Sequence, residues 1–82
     1  MKDTLNYKIK AIAANIRHAR EQLNYTQEYL AAKLNISQNA YSKIELGYTK
    51  ITVERLFQVA AILDVDIYTL IDTERSSFIN NL

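Results

Sequence analysis

Between Thr26 and Gly47 the chain reads TQEYLAAKLNISQNAYSKIELG, and this stretch leaves little freedom in how it folds. Thr26 is a good N-cap, because its hydroxyl accepts a free backbone amide of the first turn. Glu28 then places a negative charge where the helix dipole favours it. Leu30, Ala31 and Leu34 share one face at i, i+1, i+4 spacing. Asn35 follows, and after Gly it is among the residues best suited to the left-handed conformation that ends a helix. Ile36 is apolar and Ser37 is a second N-cap, so a second helix begins at once. It closes at Gly47, the single glycine of the chain, the residue favoured just past a helix end. Two helices joined this tightly cannot lie antiparallel and must cross at a steep angle.

The second helix of the pair is divided. Ala40, Tyr41 and Ile44 fall on one side. Gln38, Asn39, Ser42, Lys43 and Leu46 fall on the other, at i, i+1, i+4, i+5, i+8. An amphipathic helix needs a polar face in any case. This face, however, starts with two amides at the helix N-terminus, followed by a hydroxyl and an amine. Amides donate and accept together, as the edge of adenine requires, and an amine donates to guanine.

The stretch resembles the helix-turn-helix of the Cro-like repressors and their bacterial relatives, the XRE class. The residues that carry the likeness are Arg17, Arg20, Thr26, Gln27, Leu30, Ala31, Ile36, Ser37, Tyr41, Ser42, Ile44, Glu45 and Gly47. It covers roughly residues 9 to 72. Asn35 departs from the family's usual glycine but suits the same backbone. Asp64 replaces a second usual glycine, so a less well served helix end is expected there. The resemblance implies an all-α, five-helix, lambda-repressor-like domain that binds double-stranded DNA. It also implies an ion pair between Arg20 and Glu45, linking helix 1 to the recognition helix. The residues themselves allow it: Arg20 sits in an apolar stripe, where a buried charge needs a partner, and Glu45 borders the apolar face of its own helix.

Eighty-two residues make one small domain. With 49% apolar and 23% charged residues the composition is globular, and with no proline and recurring helical periodicity only an all-α fold is economical. No apolar run is long enough to span a membrane, no leader pattern stands at the N-terminus, and no cysteine offers a disulfide or a thiolate. A cytoplasmic location is expected. The net charge of +1 conceals a division. Residues 1–50 hold eight basic against four acidic residues, net +4, and residues 51–82 hold two against five, net −3. The basic half contains the helix pair, which fits a face turned toward a polyanion.

Residues 1–8 are expected to form an N-terminal arm, loose through residue 6. Helix 1 is expected from about Tyr7 to Leu23, with Ile9, Ile12, Ala13, Ile16, Arg20 and Leu23 facing inward. Thr52 caps helix 4, whose inward residues read as Val53, Leu56, Val59, Ala60 and Leu63. Asp66 caps a short helix 5. Residues 9–72 thus form the domain, and residues 73–82 a tail with a possible dimer contact.

Other chemistry finds little support. His18, the single histidine, has no cysteine beside it. Asp64, Asp66 and Asp72 fall at helix ends. One glycine cannot build a phosphate-binding loop. No nucleophile–base constellation appears, so no enzyme, cofactor or metal is expected. The expected function is sequence-specific binding of double-stranded DNA as a transcriptional regulator, a homodimer on a near-palindromic operator. Gln38, Asn39, Ser42 and Lys43 would face base edges. Thr26, Gln27, Tyr48 and Lys50 would hold the backbone, with Gln27 reaching phosphate or bracing Gln38. Phe57, Ile62, Phe78, Ile79 and Leu82 are apolar residues the core stripes do not require, and would join the two copies. Two other readings share the pattern: an antitoxin that adds a toxin partner to the same DNA-binding fold, and a protein-interaction module independent of DNA.

Overall fold

The structure is a computed structural model that describes residues 2–74. Five helices follow one another: α1 (Lys2–Gln22), α2 (Gln27–Leu34), α3 (Gln38–Glu45), α4 (Val53–Leu63) and α5 (Ile67–Ile71). There is no strand among the described residues. Phe78, Ile79 and Leu82 lie outside them.

The connections are short because the chain turns in the same way four times. Asn24, Asn35, Gly47 and Asp64 all take left-handed backbone, with φ of 60°, 58°, 76° and 53°. After α1, the Asn24 amide bonds the Glu21 carbonyl and the Tyr25 amide bonds that of Arg20. After α2, the Asn35 and Ile36 amides bond Ala32 and Ala31. After α3, the Gly47 and Tyr48 amides bond Ile44 and Lys43. After α4, the Asp64 and Val65 amides bond Ala61 and Ala60. Each is a Schellman-type closure that satisfies two carbonyls the helix would otherwise leave open. Asp64 therefore ends α4 with the same bonds as the other three, contrary to the poorer end expected from its identity. Asn and Asp tolerate this conformation because their short polar side chains add little steric cost.

Gly47 is different. A Cβ built there would stand 3.1 Å from Lys10 Cγ and 3.5 Å from Lys10 Cα. The chain needs glycine at this closure both for its φ and because α1 passes close by.

The helix starts are equally explicit. Thr26, Ser37 and Thr52 accept the amides of Tyr29, Ala40 and Arg55, and Asp66 accepts that of Tyr68. Inward faces converge on Ile16, Leu30, Tyr41, Val59, Leu63 and Leu70, all fully buried, with Leu34, Ile44 and Leu56 around them. Asn15 ties α5 to α1, its Nδ2 donating to the carbonyls of Leu70 at 2.9 Å and Asp72 at 3.3 Å.

Three expectations are corrected. α1 starts at Lys2, not near Tyr7, so residues 2–8 are helical rather than an arm. No glycine or proline interrupts them, and Asp3 lies in the first turn where the dipole favours it. Residues 3–8 are nonetheless exposed and leave the core to the part of the helix from Ile9 onward. Leu23 is not in the stripe: the helix has ended one residue earlier, and Leu23 is 43% exposed. Val53 points outward at 67% exposure. It is the first residue of α4, before the helix leans onto the core.

Urea melts of Gly47→Ala, Asn35→Gly and Asp64→Gly test the closures. Gly47→Ala is expected to cost about 1–2 kcal/mol from the left-handed φ alone, while the other two change stability by no more than about 1 kcal/mol. A Gly47→Ala protein as stable as the other variants would contradict the need for glycine at this left-handed position.

Candidate nucleic-acid interface

α3 is positioned from beneath by one buried carboxylate. Glu45 receives two bonds from Arg20 of α1, Nε to Oε2 at 2.7 Å and Nη2 to Oε1 at 3.0 Å. Gln27 of α2 donates its Nε2 to Oε1 at 3.1 Å. The Tyr41 hydroxyl, one turn earlier on α3, donates to Oε2. Arg20 also donates Nη1 to the Tyr25 carbonyl at 2.7 Å. The ion pair implied by the family likeness is present. It is buried, with side-chain exposures of 10% for Arg20 and 2% for Glu45.

This network sets the protonation states. Burial pushes the Glu45 carboxyl up, but the bonds from Arg20, Tyr41 and Gln27 outweigh it and hold the group below its ordinary value. The bond to Glu45 raises the Arg20 guanidinium, against the cost of burial. Burial, and then the bond to Glu45, push the Tyr41 phenol well above its usual value.

The network also corrects one assignment. Gln27 braces Glu45, not Gln38. A glutamine at the first position of α2 points back along the helix toward α3's far end rather than forward to its start.

With Tyr41, Ile44 and Glu45 turned inward, the other polar residues of α3 face out. Gln38, Asn39 and Lys43 are exposed and Ser42 is half-buried. All four expected base-facing residues thus lie on the outer side of one helix. Thr26, Tyr48 and Lys50 are exposed at the edges of this surface, Tyr48 at 75%. The Thr26 oxygen accepts the Tyr29 amide, so its hydroxyl proton remains available to donate.

Beside α3 lies an open groove of about 470 Å³, bounded by the α3–α4 loop and the first turn of α4. Asn39, Lys43, Lys50 and Arg55 line it, and no acidic residue does. Sequence reasoning did not single out Arg55. Its sole signal was a position three residues after the Thr52 cap, close to Lys50.

The expected dimer residues separate. Phe57 is 56% exposed, whereas Ile62 is half-buried against the core and belongs mainly to it. Val53 takes the place beside Phe57. Val53, Phe57 and Ala61 fall at i, i+4, i+8 on α4 and all three are exposed. Among the described residues no cluster of His, Cys, Asp and Glu is arranged to hold a metal, and no helix is long and apolar enough to cross a membrane.

A family model for helix-turn-helix domains matches residues 16–70, and the chain belongs to that helix-turn-helix family, of the Cro/XRE-like kind. It is also similar to a curated protein described as the uncharacterized HTH-type transcriptional regulator YqaE of Bacillus subtilis (strain 168), 35% identical over 60 residues. The match takes in 73% of this chain and 52% of the relative, so the chain spans about half the relative's length. No solved structure matches.

The pH dependence of stability follows from Glu45. Its pKa is lowered on folding, so its contribution is complete above the unfolded carboxylate value of about 4.3. The contribution fades as pH falls through the lower folded value. Urea midpoints of the natural protein and Glu45→Gln are expected to differ most near pH 7 and to converge as pH falls from about 4 toward 2. A gap that stays constant over that range would contradict the lowered pKa.

Proposed function

We propose that this chain is a sequence-specific double-stranded DNA-binding regulator that lays α3 in the major groove. The observation that carries this reading is the outer face of α3. Two amides, a hydroxyl and an amine stand together there, on a helix whose inner face is locked by a buried ion pair. Gln38 and Asn39 occupy the first turn, the part of a recognition helix that meets base edges. Lys43 and Ser42 stand one turn further on. Thr26, Tyr48 and Lys50 flank this helix and would hold phosphates, fixing register without reading sequence, while Gln27 serves them indirectly by bracing Glu45. The family membership and the regulator title of the Bacillus relative support the same reading.

One recognition helix reads too few base pairs to select a site among many competitors. We therefore infer a homodimer, its two α3 helices about 34 Å apart on one face of the duplex. The outward stripe of Val53, Phe57 and Ala61 supports the contact surface. It begins three residues after Lys50, on a helix other than the one proposed to read DNA. Burying the exposed half of Phe57 would contribute about 1–1.5 kcal/mol per copy. Regulation as a repressor fits a domain that acts by occupying its site.

Gln38→Ala and Asn39→Ala are each expected to weaken binding to the selected site by about 1–3 kcal/mol and binding to random duplex far less. Titrations on both DNAs check this, and equal losses on the two would remove these residues from sequence reading. Phe57→Asp is expected to shift sedimentation from dimer to monomer while the helical signal stays unchanged. A variant that sediments like the natural protein would exclude the α4 stripe as the contact.

A further inference from the structure

Arg55 and Arg20 share one anchoring contact, although Arg20 is buried and Arg55 only half-buried. Each donates Nη1 to a backbone carbonyl near a helix-to-helix connection: Arg20 to Tyr25 within the α1–α2 turn, Arg55 to Leu34, the last residue of α2, at 3.4 Å. Arg55 is further fixed by Nη1 to Gln58 Oε1 at 3.1 Å. In Arg20 the side edge of the guanidinium, Nε and Nη2, grips both oxygens of Glu45. In Arg55 that edge meets no carboxylate among the described residues. The side chain lines the groove beside α3 together with Lys43 and Lys50, neither of which is paired with an acid among the described residues. Three cations therefore border one groove with no acidic partner among the described residues.

We propose that the Nε–Nη2 edge of Arg55 binds a DNA phosphodiester in this groove, two parallel bonds to two oxygens, as the same edge of Arg20 binds the Glu45 carboxylate. The proposal rests on the DNA-binding reading above and assigns a contact to α4 that the base-reading face does not include. Arginine suits it because a planar fork engages two oxygens at once, which an ammonium cannot. The bonds from Nη1 to Leu34 and Gln58 hold the fork before DNA arrives, so less freedom is lost when the strand docks. The backbone of the duplex would run along the groove between Asn39 and Lys43 on one side and Lys50 on the other. Because Arg55 also bonds the last residue of α2, the phosphate would be tied to both helices of the helix-turn-helix and to α4.

The salt dependence of binding to a random-sequence duplex tests this, using the natural chain, Arg55→Gln and Arg55→Lys. Arg55→Gln is expected to lower the slope of log affinity against log salt by about one unit. Arg55→Lys is expected to retain the slope and to bind several-fold more weakly. Urea melts accompany both variants, because the Leu34 bond is also lost. In the natural chain the Arg55 Nε–H resonance is expected to shift on addition of the same duplex, a readout that needs no variant. A slope unchanged in Arg55→Gln, or an unmoved Nε–H resonance, overturns the contact. Arg55→Lys equal to the natural chain overturns the two-oxygen geometry. A natural chain that binds no duplex at any salt overturns the DNA-binding reading itself.

Discussion

Glu45 is the point on which the recognition surface depends. Its two oxygens collect bonds from α1, from α2 and from its own helix, and Arg20 extends the set to the Tyr25 carbonyl in the α1–α2 turn. Removing two charges from water is costly, and their attraction returns that cost only when every lone pair and proton is used. Here no buried side-chain polar atom lacks a partner among the described residues. The consequence for function is geometric. With Glu45 and Tyr41 pinned inward, α3 cannot rotate about its axis, and Gln38, Asn39 and Lys43 have to face out.

The repeated left-handed closure is the second constraint. It ends a helix and redirects the chain within two residues, so after Asn24, Asn35 and Asp64 the next N-cap follows two residues on. That is how an eight-residue α2 and an eight-residue α3 pack against each other at all. Isolated helices of that length are unstable in water. They persist here because Leu30, Leu34, Tyr41 and Ile44 are buried against α1 and α4. Three Asn or Asp residues and one Gly fill the four turning positions, with Gly at a turn that lies close against Lys10 of α1. Lys50 in the α3–α4 loop and Arg55 in the first turn of α4 come to lie beside α3.

Much of this was legible in the sequence because it is local. Caps at Thr26, Ser37 and Thr52, turning residues at Asn35 and Gly47, and the inward spacing of Leu30, Leu34, Tyr41 and Ile44 act over a few residues each. The outer face of α3 follows from the same periodicity. The Arg20–Glu45 pair joins residues 25 apart, and the likeness to the Cro-like family supplied the partner that the apolar stripe only demanded. What the sequence hid depends on where helices stop and on what they meet. A stripe does not announce that its helix ended at Gln22, so Leu23 read as core. Val53 fits the inward spacing of α4, yet it stands before the helix reaches the core. Leu5 continues the stripe of Ile9 one turn earlier, yet it is 57% exposed, because the start of α1 has no core to face. Gln27 and Arg55 have partners on other helices, Glu45 and Leu34, and no short-range pattern names them.

Selection of bound fragments from a random duplex pool, followed by sequencing, tests the central claim most directly. A regulator that presents α3 in pairs is expected to enrich two inverted half-sites whose centres lie about 10–10.5 base pairs apart, with binding that falls steeply as salt rises. A pool without enrichment, or binding indifferent to salt, would contradict a DNA-reading role for the outer face of α3.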